Sequence, residues 1–203
     1  MISHKLNSFY LFPALLLLFT AACSKSDHQT DSSAAESMIE EVPQPPAGLV
    51  EVRAVGLTLQ AQDEIPSGWT TLRFINDSDM IHFTYLYQVP QGITLDDHKK
   101  LAGIFQNFMD DYNGRPHSEP DAGMEIPEWF GNNKTFGGPG LVSARNTGET
   151  TVFMEPGVYF LECYVKTDGI FHSYNSSPTE YGMIHQFTVT SEHNMASEPE
   201  PTL

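Results

Sequence analysis

The chain is poor in cysteine and in cations. Of its 203 residues only two are cysteine, Cys23 and Cys163, and 10 lysines and arginines stand against 26 aspartates and glutamates, for a formal charge of −16. Two cysteines cannot build the dense disulfide framework of a small secreted scaffold. So few cations exclude a phosphate-neutralising surface, and with it nucleic acid as a partner. They equally exclude electrostatic adhesion to anionic lipid, which leaves an acyl chain as the route to a membrane. No apolar run reaches the roughly 20 residues of a spanning helix, and no segment repeats. Neither a Ser-His-Asp set nor paired catalytic carboxylates are legible, so an enzyme is not expected.

What is present begins with MISHKLNSFYLFPALLLLFTAAC: one lysine (Lys5), a short apolar stretch, then small residues before a cysteine. That is the layout of an export signal. Thr20-Ala21-Ala22-Cys23 is similar to a bacterial lipoprotein cleavage site. It makes residues 1–22 a signal peptide and Cys23 a lipidated first residue, on the periplasmic side of the inner or outer membrane. Removing residues 1–22 takes away Lys5 and no acid, so the exported chain is more acidic still. Residues 23–48 follow as lipidated cysteine and flexible tether, polar and then proline-rich, and residues 191–203 as a disordered polar tail. With Cys23 lipidated, Cys163 has no disulfide partner. An unpaired thiol in an oxidising compartment calls for burial or a ligand.

Between these segments, residues 49–190 read as one domain. VEVRAVGLTLQAQ, TTLRFIN, HFTYLYQV, TTVFM, VYFLECYV and MIHQFTVT are short runs rich in β-branched and aromatic residues, and IPSGW, NDSD, EPGV and TDG separate them as turns. Pro156-Gly157 reads as a tight hairpin-type connection. The class is all-β, a β-sandwich. One segment departs from it. From Thr94 to about Tyr112, Leu101, Ile104, Phe105 and Phe108 fall on one helical face, with Thr94 as cap and acids in the first turn. A long Gly- and Pro-rich loop is expected over 113–140.

Alternation along GVYFLECYV puts Tyr159, Leu161, Cys163 and Val165 on one face, the inner one. His172 and Met183 follow in the closing loop, and His82 opens a distant strand after NDSDMI. A thiolate, two imidazoles and a thioether form a donor set that holds copper in both oxidation states. The order of Asn76 and His82, a long gap, PGVYFLEC, a loop with His172 and Gly182-Met183 before a final strand resembles the cupredoxin family of blue-copper proteins. The similarity spans about residues 49–190.

The resemblance implies a cupredoxin-like Greek-key β-sandwich with one inserted helix and a long loop. It implies a type 1 copper held by His82, Cys163, His172 and Met183. It implies one-electron transfer, a redox partner such as a cytochrome or copper oxidase, and an exit for the electron at a solvent-edge histidine, His172. Two departures stand out. The gap between Cys163 and His172 is long, and SYNSSPTEYG is inserted between His172 and Met183. The insertion leaves the axial position open between Met183 and His185, which shares its strand face. Two other functions stay open as well: a copper carrier or buffer, and a cupredoxin-like interaction module without metal.

Overall fold

The structure is a computed structural model in which residues 48–174 and 182–200 are described. The chain divides into two compact units, Met1–Val42 and Pro43–Leu203, and the described residues lie in the second. The signal segment, Cys23 and almost all of the tether lie outside the described residues, as do residues 175–181 of the late insertion. Among the described residues no helix is long and apolar enough to cross a membrane.

Among the described residues, ten strands and one α-helix follow one another. They are β1 (Leu49–Val55), β2 (Thr58–Gln60), β3 (Glu64–Asn76), β4 (His82–Gln88), α1 (Leu95–Tyr112), β5 (Lys134–Val142), β6 (Thr147–Met154), β7 (Gly157–Glu162), β8 (Lys166–Thr167), β9 (Ile170–Phe171) and β10 (Ile184–His193). The long strand β3 serves two sheets. Its second half pairs parallel with β1 and antiparallel with β6. Its first residues pair parallel with β10, which continues through β7 and β4 to β5. This is a β-sandwich, the class expected, with one inserted helix. The Pro156-Gly157 connection is not a hairpin, because β6 pairs with β3 while β7 lies between β10 and β4. Nor does the loop extend to residue 140. Lys134 already begins β5, which carries the GGPG run along β4 with shifts of register. β10 runs past residue 190 to His193, and the Asn194 side chain donates to the Trp69 carbonyl.

The core between the sheets is built from alternating positions such as Val52, Leu72, Phe74, Leu86, Leu161 and Cys163, all at most 1% exposed. Each large apolar side chain buried in this way contributes about 1.5–3 kcal/mol. The opposite face of β7 is buried too. Phe160 lies under Tyr87, Ala102 and Ile184 in a second cluster between the sheet and α1.

The helix starts at the cap the sequence marks. Thr94 Oγ1 accepts from Asp97 N at 3.2 Å, and Asp97 Oδ2 accepts from Thr94 N at 2.9 Å, a reciprocal capping box. Its buried face, however, is wider and more polar than the apolar period implies. Leu101 and Ile104 are buried, but Phe105 is half-buried and Phe108 exposed, while His98, Gln106, Asn107 and Asp110 are fully buried. These polar groups tie the helix to loops. Asn107 Nδ2 donates to the carbonyls of Glu119 and Gly123, and Gln106 donates to Gly169 O and accepts from Phe171 N. Thr94→Ala removes the cap and is expected to lower stability by about 1 kcal/mol, read as a shifted urea midpoint with unchanged slope.

Candidate metal centre

Three segments deliver the candidate donors. The first is set by Asn76, which is fully buried at the end of β3. Its amide donates to the carbonyls of Met80, Val142 and Ser143 at 2.8, 3.0 and 3.1 Å, and its Oδ1 accepts from Ser78. This knot fixes the turn from which His82 enters β4. The second segment is β7, which Cys163 follows directly. The third is the β8–β9 hairpin, whose turn residues Asp168 and Gly169 have φ of 53° and 77°. That is the Asp-Gly pattern of a two-residue hairpin. His172 leaves this hairpin with its N–H donating to Val165 O at 2.8 Å.

Met183 stitches two of these segments together. Its N–H donates to His172 O at 2.7 Å and its carbonyl accepts from Cys163 N at 3.0 Å. The approach depends on Gly182, where a Cβ would collide with the backbone of His172 and Ser173. The insertion is therefore closed at its base. The Met183 side chain is fully buried in the same core cluster as Cys163.

Cys163 Sγ lies 3.8 Å from His82 Nδ1 and 3.7 Å from His172 Nδ1, and the two Nδ1 atoms are 3.2 Å apart. A point equidistant from these three atoms is about 2.1 Å from each, the length of a bond from imidazole nitrogen to a first-row metal. All three residues are buried, and among the described residues no other His, Cys, Asp or Glu joins them. A thiolate and two imidazoles in one plane, without a fourth strong donor, fit type 1 copper better than a closed tetrahedral zinc site.

The surroundings prepare the three atoms as donors. His172 Nε2 is 2.8 Å from Thr167 Oγ1, so an Nε2–H donated there leaves the Nδ1 lone pair facing Cys163. Burial, and then the charge of a protonated His172, lower the His82 pKa to about 4; the Gly56 backbone opposes this. Burial lowers that of His172 as well. Burial pushes the Cys163 thiol up, against hydrogen bonds from the Phe83 and Val165 backbone. The Phe83 N–H lies 3.3 Å from Sγ.

The remaining histidines divide differently from the sequence reading. His172 is not a solvent-edge residue: it is 4% exposed, with Thr167 against its outer nitrogen. His98, on α1, is fully buried and stacks on Phe160. Its Nε2 lies 2.9 Å from Glu162 Oε2, which also accepts from the Tyr87 hydroxyl at 2.7 Å. Burial would raise the Glu162 pKa, but the charge and hydrogen bond of His98, with hydrogen bonds from Tyr87 and Tyr164, outweigh it and the net shift is downward. This buried network beside Cys163 escaped the sequence reading, although an acid inside VYFLECYV was its one visible signal. His185 stands apart from the donor triangle, with Nε2 3.2 Å from Gln62 O and its ring stacked on Phe187.

No family model matches the chain, and no curated protein matches it. Solved structures similar to it are auracyanin B (23% identity, 73% of this chain and 93% of that one, TM-score 0.37) and auracyanin A, a blue copper protein of Chloroflexus aurantiacus (19%, 70% and 98%, 0.39). A mutant of amicyanin in the Cu(I) state is also similar (15%, 74% and 88%, 0.32). At these scores the likenesses carry no weight of their own, and the chemistry rests on this chain's side chains.

Gly182→Ala is expected to separate Met183 from His172, costing more than about 2 kcal/mol in thermal unfolding and weakening metal uptake. A histidine whose pKa is lower folded than unfolded binds fewer protons in the folded state, so its contribution is complete above the unfolded value and lost as pH falls. For His82 that window runs from 6.5 down to about 4. Metal-free protein should therefore lose stability to urea across this range, and His82→Gln should flatten the loss.

Proposed function

We propose that the protein holds one type 1 copper ion at His82, Cys163 and His172, with Met183 as the weak axial donor, and transfers single electrons. The observation that carries this reading is the buried triangle of one sulfur and two Nδ1 atoms, whose sides of 3.2 to 3.8 Å enclose a site of metal-bond radius. Bound copper supplies a one-electron couple between Cu(I) and Cu(II). The chain's own groups do the rest. Cys163 releases its thiol proton on metal binding, and the Phe83 N–H stabilises the sulfur charge. Thr167 holds the His172 tautomer. The apolar interior around Cys163 excludes water. Met183 is preferred to His185 as the fourth donor because it is fully buried in the core cluster of Cys163, while the His185 ring meets the Gln62 carbonyl instead.

In this reading the protein is an electron carrier rather than an enzyme. It is lipidated at Cys23 and held at the periplasmic face of a bacterial membrane, and it exchanges electrons with a redox protein such as a cytochrome or copper oxidase. Residues 24–203, produced without lipid and given Cu(II), should bind one equivalent and develop an intense visible thiolate-to-copper band. Cys163→Ala should abolish that band. Colourless wild-type protein with bound copper would favour a carrier or buffer, and absence of stoichiometric copper would leave an interaction module.

A further inference from the structure

Each of the three donor residues has a chain neighbour that lines one open groove on the other face of the second sheet. Phe83 follows His82, Tyr164 follows Cys163, and Phe171 precedes His172. Strand alternation explains the arrangement: donors turn inward and their neighbours outward. Tyr85, Phe105 and Phe130 complete a groove of about 550 Å³. All six rings are half-buried. Phe83 stacks on Tyr85 at 6.0 Å, Tyr85 meets Tyr164 at 5.8 Å, and Phe105 meets Phe130 edge-on at 5.4 Å. An open groove walled by aromatic rings, with few polar groups among them, has the make-up of a small-molecule site.

Size and charge select the occupant. The volume falls within the roughly 300–1,000 Å³ of small-molecule sites. The walls are much smaller than the ~800 Å² that a stable protein partner covers. In a chain of charge −16, the one charged group among the described residues lining the groove is a cation, Lys166, whose ammonium lies 5.0 Å from the Phe171 ring centre. The Lys166 ammonium donates protons and accepts none, so the ligand must bring acceptor oxygens, a flat π-face for the rings, and no positive charge.

We propose that this groove binds a planar aromatic molecule carrying carbonyl oxygens, of the quinone class. Its use in electron transfer rests on the copper reading above; its existence does not. From the groove, Phe83 reaches Cys163 Sγ through one N–H at 3.3 Å, and Tyr164 reaches it through one peptide bond. With His172 buried behind Thr167, this groove offers an open approach to the donor triangle.

The test titrates 2-methyl-1,4-naphthoquinone into the purified full chain, metal-free and copper-loaded, by calorimetry and by NMR of the aromatic rings. Saturable one-to-one binding is expected in both forms, with shifts confined to the groove rings. Phe130→Ala and the exposed Lys166→Gln should each weaken it about 3- to 10-fold, with unchanged circular dichroism and, in the copper form, an unchanged visible band. No saturable binding, or binding equal in both variants, overturns the proposal. Groove shifts that follow protein concentration instead of quinone identify a second copy as occupant and overturn it as well. Quinone binding to a protein that takes no copper leaves the groove standing and removes the copper reading.

Discussion

Three atoms that can each present a lone pair are held within 3.8 Å of one another in the buried core. Left to themselves they would separate, or take up a proton between them. The downward shift of both histidines and the upward shift of the thiol express the same fact: the pocket resists charge it cannot share. Something in the fold must hold the three together against that tendency, and much of the molecule can be understood as the device that does so. The Asn76 knot sets His82, the β8–β9 turn sets His172, and the Met183 backbone clamps the Cys163 and His172 segments to each other.

The inserted helix belongs to this device. It buries the outer face of β7, which an ordinary two-layer sandwich would leave wet, and makes Phe160 and Glu162 interior residues. The acid is tolerated there because Tyr87 and His98 both engage it; removing one partner of such a buried group costs about 3–5 kcal/mol. Gln106 then extends the helix's hold to Gly169 and Phe171, next to His172. A helix that makes no contact with the donor atoms thus bears on two of the three segments that carry them.

The strands, the helix start at Thr94 and the grouping of His82, Cys163 and His172 were legible because each depends on a local pattern: alternation, a capping box, or residue types in a familiar order. What was not legible depends on pairing at a distance. Pro156-Gly157 has turn chemistry, but which sheets its flanking strands join is decided by β3 and β10, far along the chain. His98 resembles any solvated helical histidine until Glu162 lies opposite it. His172 looked like an edge residue because nothing local announces that Thr167 covers it. Apolar periodicity also missed Asn107 and Asp110, since a helix face can be buried through hydrogen bonds to loop carbonyls and amides as well as through hydrocarbon.

The narrow neck at Gly182 has a consequence for how this chain can vary. Because Met183 bonds back to His172 across that neck, the span between them is mechanically short-circuited. Its sequence and length can drift, or be exchanged for another, without moving the donors, provided that the glycine and its successor remain. The stretch that departs most from the spacing of the proteins the sequence resembles is therefore one that the donor triangle is insulated from.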